Sequence, residues 1–158
     1  DRGISVLLVY TGGGKGKTTA ALGTLLRAWG HGMRVLAAFV MKTPYYMGEE
    51  VGEYKALRRL GVDVAYLSDF GSPLALVESV LEVADSYDLV ILDEFNYAVR
   101  QGFIEPSYVK KLATLKPHIV ITGNYLWPEA EEAADLISTI QPTKHYYNRR
   151  VAVKGLDW

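Results

Sequence analysis

The chain has 158 residues, a length that fits one domain with a sizeable hydrophobic core, and residues 1–158 are read that way. Its 17 Lys and Arg nearly balance 18 Asp and Glu, and a formal net charge of −1 argues against a nucleic-acid partner. The absence of cysteine excludes disulfide scaffolds, thiolate zinc sites and cysteine nucleophiles.

In chain order, Ile4 to Tyr10 is an almost continuous apolar run and predicts a strand buried on both faces. After a glycine cluster, Leu22, Leu25, Leu26 and Trp29 recur at helical spacing, and Gly30-His31-Gly32 ends that helix. His31 reads as a turn residue rather than a metal ligand. Residues 34–41 predict a second buried strand, 42–50 a loop, and a short helix then runs to Leu60. A strand follows over 62–67, and Ser72-Pro73 gives an N-cap with proline at the first helical position. Val77, Val80, Leu81 and Ala84 mark the buried face of that helix. Leu89–Leu92 and His118–Thr122 predict two more strands, separated by a helix around 106–115. Pro128 to Ala134 reads as a short acidic helix and Asp135 to Ile140 as the last strand. Apolar strands alternating with helices predict an α/β fold, a mostly parallel sheet with helices on both faces. No apolar run reaches the ~18 residues of a membrane span and the first residues lack a signal-peptide layout, so a cytoplasmic protein with no membrane partner is expected. The sequence opens at Asp1 rather than Met, so residues upstream are expected.

Of 15 glycines, four lie within the five positions Gly12 to Gly16, between the first strand and the first helix. Glycines there let successive N–H groups of Gly12, Gly13, Gly14, Lys15, Gly16, Lys17, Thr18 and Thr19 converge on an anion without Cβ obstruction. The helix behind them adds unpaired donors and its positive dipole end. Lys17 is placed to reach phosphate oxygens and the Thr18 hydroxyl to ligate Mg²⁺. One departure matters. Thr11 stands where the usual phosphate loop has its first glycine, and counting from Gly12 leaves the loop one residue short. The loop also carries an extra cation, Lys15.

Asp93 and Glu94 follow the buried run Leu89–Leu92, at the strand edge where doubly wound sheets bind ligands. A carboxylate at this place beside a phosphate loop holds Mg²⁺, directly or through water. The residues leave open which of the two touches the metal.

These blocks, in this order, make the chain resemble the P-loop ATP:cob(I)alamin (corrinoid) adenosyltransferases. The resemblance rests on Thr11 to Gly23, Arg27 to Val35, Tyr87 to Ala98, Ile121-Thr122-Gly123, Ala134 to Leu136, Lys144-His145 and Lys154 to Trp158. It implies a RecA-like P-loop fold and transfer of the 5′-deoxyadenosyl group of ATP to the cobalt(I) of a corrinoid, releasing triphosphate. It implies ATP as co-substrate, Mg²⁺, a corrinoid partner, a homodimer and a reductase that delivers reduced cobalt. Residue by residue, Gly12 to Thr19 become triphosphate ligands, and Lys15, Lys17 and Glu94 the catalytic set. Thr18 and Glu94 become Mg²⁺ ligands with Asp93 in support, and no general base is needed.

The chain departs from the family pattern at two places. Tyr66 to Ser72 is shorter than the family's aromatic segment and lacks Trp, with Phe70 as a substitute, and Asn124 follows Thr122-Gly123 in place of Arg. Tyr45, Tyr46, Phe95, Tyr97 and Trp127 are read as loop aromatics near strand ends, suited to a broad apolar ligand or simply to half-exposed surface. His145 has no second ligand at metal spacing, and Arg149-Arg150 suit either an anionic substrate or solvent. Two alternatives stay open: a non-catalytic ATP-binding relative and a generic P-loop ATPase.

Overall fold

The fold was analysed in a computed structural model, which describes residues 4–146 and 152–158. Asp1, Arg149 and Arg150, discussed above, lie outside the described residues.

Six parallel strands form one sheet in the order β5-β2-β6-β7-β1-β8. They are β1 (Leu7–Thr11), β2 (Val35–Phe39), β5 (Asp63–Tyr66), β6 (Leu89–Asp93), β7 (His118–Thr122) and β8 (Leu136–Thr139). Helix α1 (Lys17–Gly30) links β1 to β2, which lies three places away across β7 and β6. The connection from β7 to β8 runs the opposite way, past β1 to the other edge, and this reversal opens a crevice at the carboxyl ends of the strands.

Side chains alternate along each strand and feed two cores. Leu7, Val9, Leu36, Ala38, Val90, Leu92, Ile119 and Ile121 point to one face. It is covered by α3 (Pro73–Val83), α4 (Phe95–Arg100), α5 (Tyr108–Ala113) and α6 (Pro128–Ala133). Val35, Ala37, Phe39, Leu89, Ile91 and Val120 point to the other face, against Ala21, Leu25 and Ala28 of α1 and Leu57 of α2 (Gly52–Leu60). Strands apolar at every position are therefore satisfied, as the continuous runs predict. β8 is the exception: all four of its residues are exposed on the sheet edge.

Most elements fall where the pattern puts them, with shifted ends. β1 starts three residues later than predicted and includes Thr11, while the stretch 67–69 turns into a single 3₁₀ turn instead of extending β5. Ser72 caps α3 as expected, its Oγ accepting from Ala75 N at 3.1 Å. His31 closes α1, its N–H donating to Ala28 O at 3.1 Å. The predicted loop 42–50 contains a small hairpin, β3 (Tyr45–Tyr46) with β4 (Glu49–Glu50). Met47 and Gly48 both have positive φ there, the signature of a two-residue type I′ turn. α4 was not predicted; it places Phe95 and Tyr97 on a helix rather than in a loop, and the readings of Phe95 and Trp127 as rim or surface aromatics are corrected as well. Phe95 begins this helix and is fully buried, and Trp127 is buried against it with ring centroids 6.2 Å apart. Both belong to the core, and Trp127 spends its only side-chain donor on Pro106 O at 2.9 Å inside the fold. Tyr45, Tyr46 and Tyr97 remain exposed, whereas Phe70 packs partly buried against the core. No helix among the described residues is long and apolar enough to cross a membrane.

Candidate active site

β1, β7 and β6 lie side by side, so the residues that end them meet. The end of β1 is tied first. Thr11 is buried, and its Oγ1 donates to Gly123 O at 2.7 Å, just past β7. That bond gives a physical reason for threonine where the usual loop has glycine.

The glycine cluster then turns under the chain that leaves β8. Gly14 N donates to Ile140 O at 2.9 Å, and Ile140 N to Thr11 O at 2.8 Å. Gly12 has φ 104°, and a Cβ there would stand 2.3 Å from Ile140 O; one at Gly14 would stand 2.8 Å from the Gln141 carbonyl carbon. Gly12 and Gly14 are thus required by close passage of the protein's own backbone, and Gly16 by its left-handed φ of 120°, rather than by an anion. At Gly13 and Gly16 a Cβ would meet nothing closer than 3.6 and 3.8 Å. Gly12→Ala is expected to destabilise the fold by more than about 2 kcal/mol through strain and backbone overlap. Gly23→Ala, in open space on α1, is expected to stabilise it by roughly 0.5–1 kcal/mol. Thermal melts of the two variants check this contrast.

Asp93, the last residue of β6, is the centre of the polar network and almost fully buried. Its Oδ1 accepts from Thr18 Oγ1 at 2.9 Å and Thr122 Oγ1 at 2.7 Å. Its Oδ2 accepts from Lys42 Nζ at 3.0 Å. Thr18 is therefore fixed by Asp93 directly, and Thr122 carries the network onward by accepting from Glu94 N at 2.8 Å. Glu94 has a left-handed backbone, φ 61°, a costly conformation for a non-glycine residue that turns the chain from β6 into α4.

The charges here are tuned by burial and by one another. Burial pushes the Glu94 carboxyl above the usual carboxylate range, against the pull of Lys42 and Lys17. Burial lowers the Lys17 ammonium, and Glu94 and Asp93 only partly oppose it. For Lys42 burial acts the same way, but the Asp93 and Glu94 carboxylates outweigh it and the ammonium stands above the ordinary lysine range. Lys17 Nζ donates to Gly14 O at 2.7 Å, folding back along the loop.

Lys15, Lys17, Thr18, Thr19, Lys42 and Glu94 line one cavity of about 490 Å³, whose remaining wall includes Gly155 to Trp158. Lys15 reaches that wall and pairs with Asp157 at 2.8 Å. Of the predicted residues, the structure brings together Gly12 to Thr19, Asp93 and Glu94. Sequence reasoning missed Lys42 and Asp157. Lys42 lies three residues beyond β2, at the same strand edge as Asp93, and that position was its only signal. At the edge near Asn124, Arg100 Nη1 reaches the Asn124 carbonyl at 3.4 Å, so a cation stands close to the position of the missing arginine.

Fold and site together define an α/β protein with a lysine-lined cleft at the carboxyl edge of a parallel sheet. The chain belongs to the ATP:corrinoid adenosyltransferase family BtuR/CobO/CobP, whose family model matches residues 4–158. Members transfer the adenosyl group of ATP to a corrinoid, and this chain is an adenosyltransferase. It is 32% identical to the corrinoid adenosyltransferase of Pseudomonas aeruginosa, over 97% of this chain and 83% of that one. The corrinoid adenosyltransferase of Escherichia coli strain K12 is 32% identical over 100% of this chain and 87% of its own. Corrinoid adenosyltransferase CobA of Salmonella typhimurium is 31% identical over the same shares.

Proposed function

We propose that the transfer takes place in the lysine-lined cavity, with the triphosphate of ATP held by residues 12–19 and Mg²⁺ held by Thr18 and Glu94. The observation that carries this reading is the Asp93 network. Both Asp93 oxygens are already engaged by Thr18, Thr122 and Lys42, so Asp93 supports while the neighbouring Glu94 carboxylate serves as ligand. A hydroxyl and a carboxylate are a hard oxygen set that suits Mg²⁺, which commonly takes few protein ligands and completes its shell with phosphate and water. When bound, the ion would neutralise charge on the leaving triphosphate.

In the reaction, cobalt(I) donates an electron pair to the ribose C5′ and a Co–C bond forms. The C5′–O bond breaks and its pair leaves with the triphosphate. No proton moves, so the residues have two tasks: to orient C5′ and to stabilise the departing anion. Lys17, Lys15 and Lys42 supply positive charge, and the N–H groups of the loop supply dipoles.

The strand order, counted along the six sheet strands as 3-2-4-5-1-6, supports a RecA-like P-loop fold in a single domain. Family membership supports a homodimer and a reductase that delivers reduced cobalt. A cysteine-free chain working on ATP suits the cytoplasm.

Anaerobic incubation with Mg-ATP and chemically reduced corrinoid tests the reading. Triphosphate and an adenosylated cobalt absorbance band are the expected products; ADP with phosphate would overturn it in favour of an ATPase, and intact bound ATP in favour of a binding module. Glu94→Gln sharpens the metal assignment. Because burial raises the Glu94 pKa, the folded state holds its proton more tightly, and the ionised group costs stability above that pKa. Gln removes this cost, so the ligand-free variant is expected to melt slightly higher at neutral pH. It is also expected to lose transfer by roughly 100-fold or more and to lose the melting increment that Mg²⁺ adds in the presence of ATP.

A further inference from the structure

The cavity wall formed by Gly155 to Trp158 has no part in the mechanism above, yet it is firmly fastened. Among the described residues, the Asp157 carboxylate collects three donors. Lys15 Nζ lies 2.8 Å from Oδ1, while Val153 N at 2.6 Å and the Tyr146 hydroxyl donate to Oδ2. The Lys15 and Tyr146 hydrogen bonds hold this carboxyl well below the usual carboxylate range. Lys15 Nζ also donates to Leu156 O at 3.0 Å, so two of its three N–H groups are committed to this turn. The flanks of the turn are fixed too. Lys154 pairs with Glu49 of the hairpin at 2.7 Å, and the Trp158 ring lies 5.1 Å from that of Tyr46.

We infer that Asp157 is a positioning residue for triphosphate binding: it fixes the Lys15 ammonium along the cavity wall and closes the turn 153–158 beside the phosphate loop. The inference rests on the reading that residues 12–19 hold the triphosphate. Asp157 acts through Lys15 and touches no reacting atom. A carboxylate beside an anion site would, by charge alone, weaken anion binding. Here Lys15 already offsets that charge, and the carboxylate contributes geometry: a long, flexible lysine is held at its tip instead of sampling its rotamers. Neutralising Asp157 removes the charge on which Lys15, Tyr146 and Val153 converge, so the turn and the lysine loosen together.

Calorimetry with inorganic triphosphate on the full chain tests this without requiring transfer. Asp157→Asn is expected to weaken binding about fivefold at unchanged stoichiometry, and Asp157→Glu to recover part of the loss. Lys15→Ala is expected to weaken binding at least as much, and the double variant no more than Lys15→Ala alone. Tyr146→Phe, a milder change that spares the charge, is expected to weaken binding about twofold and only while Lys15 is present. Binding by Asp157→Asn as tight as wild type or tighter, or losses that add to that of Lys15→Ala, would overturn the inference. If Asp157→Asn does not fold, Tyr146→Phe decides: an unchanged affinity, or a loss that persists without Lys15, overturns it. Wild-type protein that fails to bind triphosphate would instead remove the phosphate-loop reading beneath it.

Discussion

Replacing Lys17 with alanine is expected to slow adenosyl transfer by roughly 100- to 1000-fold while leaving the fold almost unchanged. Lys17 opens α1 directly behind Gly16, and its ammonium is already partly stripped of water. A desolvated cation needs no further reorganisation when negative charge grows on the leaving group, which is where electrostatic preorganisation has its largest effect. Its hydrogen bond to Gly14 O keeps it curled along the loop, and on the proposed reading it exchanges that carbonyl for phosphate oxygens. Stability depends little on it, since that bond is a local contact. Single-turnover rates with Mg-ATP, together with triphosphate calorimetry, provide the check. A variant that keeps wild-type rate and affinity would mean that the loop is not the site.

Replacing Asp93 with alanine is expected to damage the fold itself, by about 2–4 kcal/mol. Asp93 is buried beneath Lys42, Thr18 and Thr122, and its removal leaves the Lys42 ammonium without its counter-ion and two hydroxyls without an acceptor. For a domain of this size the loss corresponds to a fall in Tm of roughly 10 °C. The double replacement Asp93→Ala with Lys42→Met separates stability from function. Removing both charges is expected to restore part of the stability, because the half-buried Lys42 ammonium no longer lacks its counter-ion while Thr18 and Thr122 still lack their acceptor. Transfer stays lost in the double variant, because Thr18 has lost its acceptor and the cleft one of its cations. Chemical denaturation of the four proteins in this cycle measures the coupling directly. Additive losses would show that the Asp93–Lys42 pair is not the stabilising unit.

The strands could be read from sequence because this sheet is covered on both faces. Leu89 to Leu92 and His118 to Thr122 have no polar interruption that a helix-period reading could exploit. The place of the glycine cluster between β1 and α1 was legible as well, since Gly12 to Gly16 is a local signal that does not depend on distant residues. What escaped was set by distance or by shortness. α4 has six residues, too few for its apolar positions Phe95, Ala98 and Val99 to establish a period. Lys42 and Asp157 are single polar residues in connecting segments, and each acquires meaning only from a partner, Asp93 and Lys15. Even the glycines were read for part of their role. Gly12 and Gly14 are small because residues 140 and 141 pass close by, a contact between chain segments more than 120 residues apart.

That close passage, with the Thr11 anchor, means that the loop is held from both sides before any nucleotide arrives. One side is gripped by Gly123 past β7, the other by Ile140 past β8. Holding the triphosphate as proposed, such a loop would act as a stiff mould for an anion, and ordering it would take little entropy from the binding free energy. Association should then be paced by diffusion and the shedding of water, with triphosphate release depending on side chains letting go rather than on the backbone refolding. The same stiffness limits repurposing: inserting one glycine to restore the common loop length would have to break one of these two grips before a γ-phosphate could be presented to water.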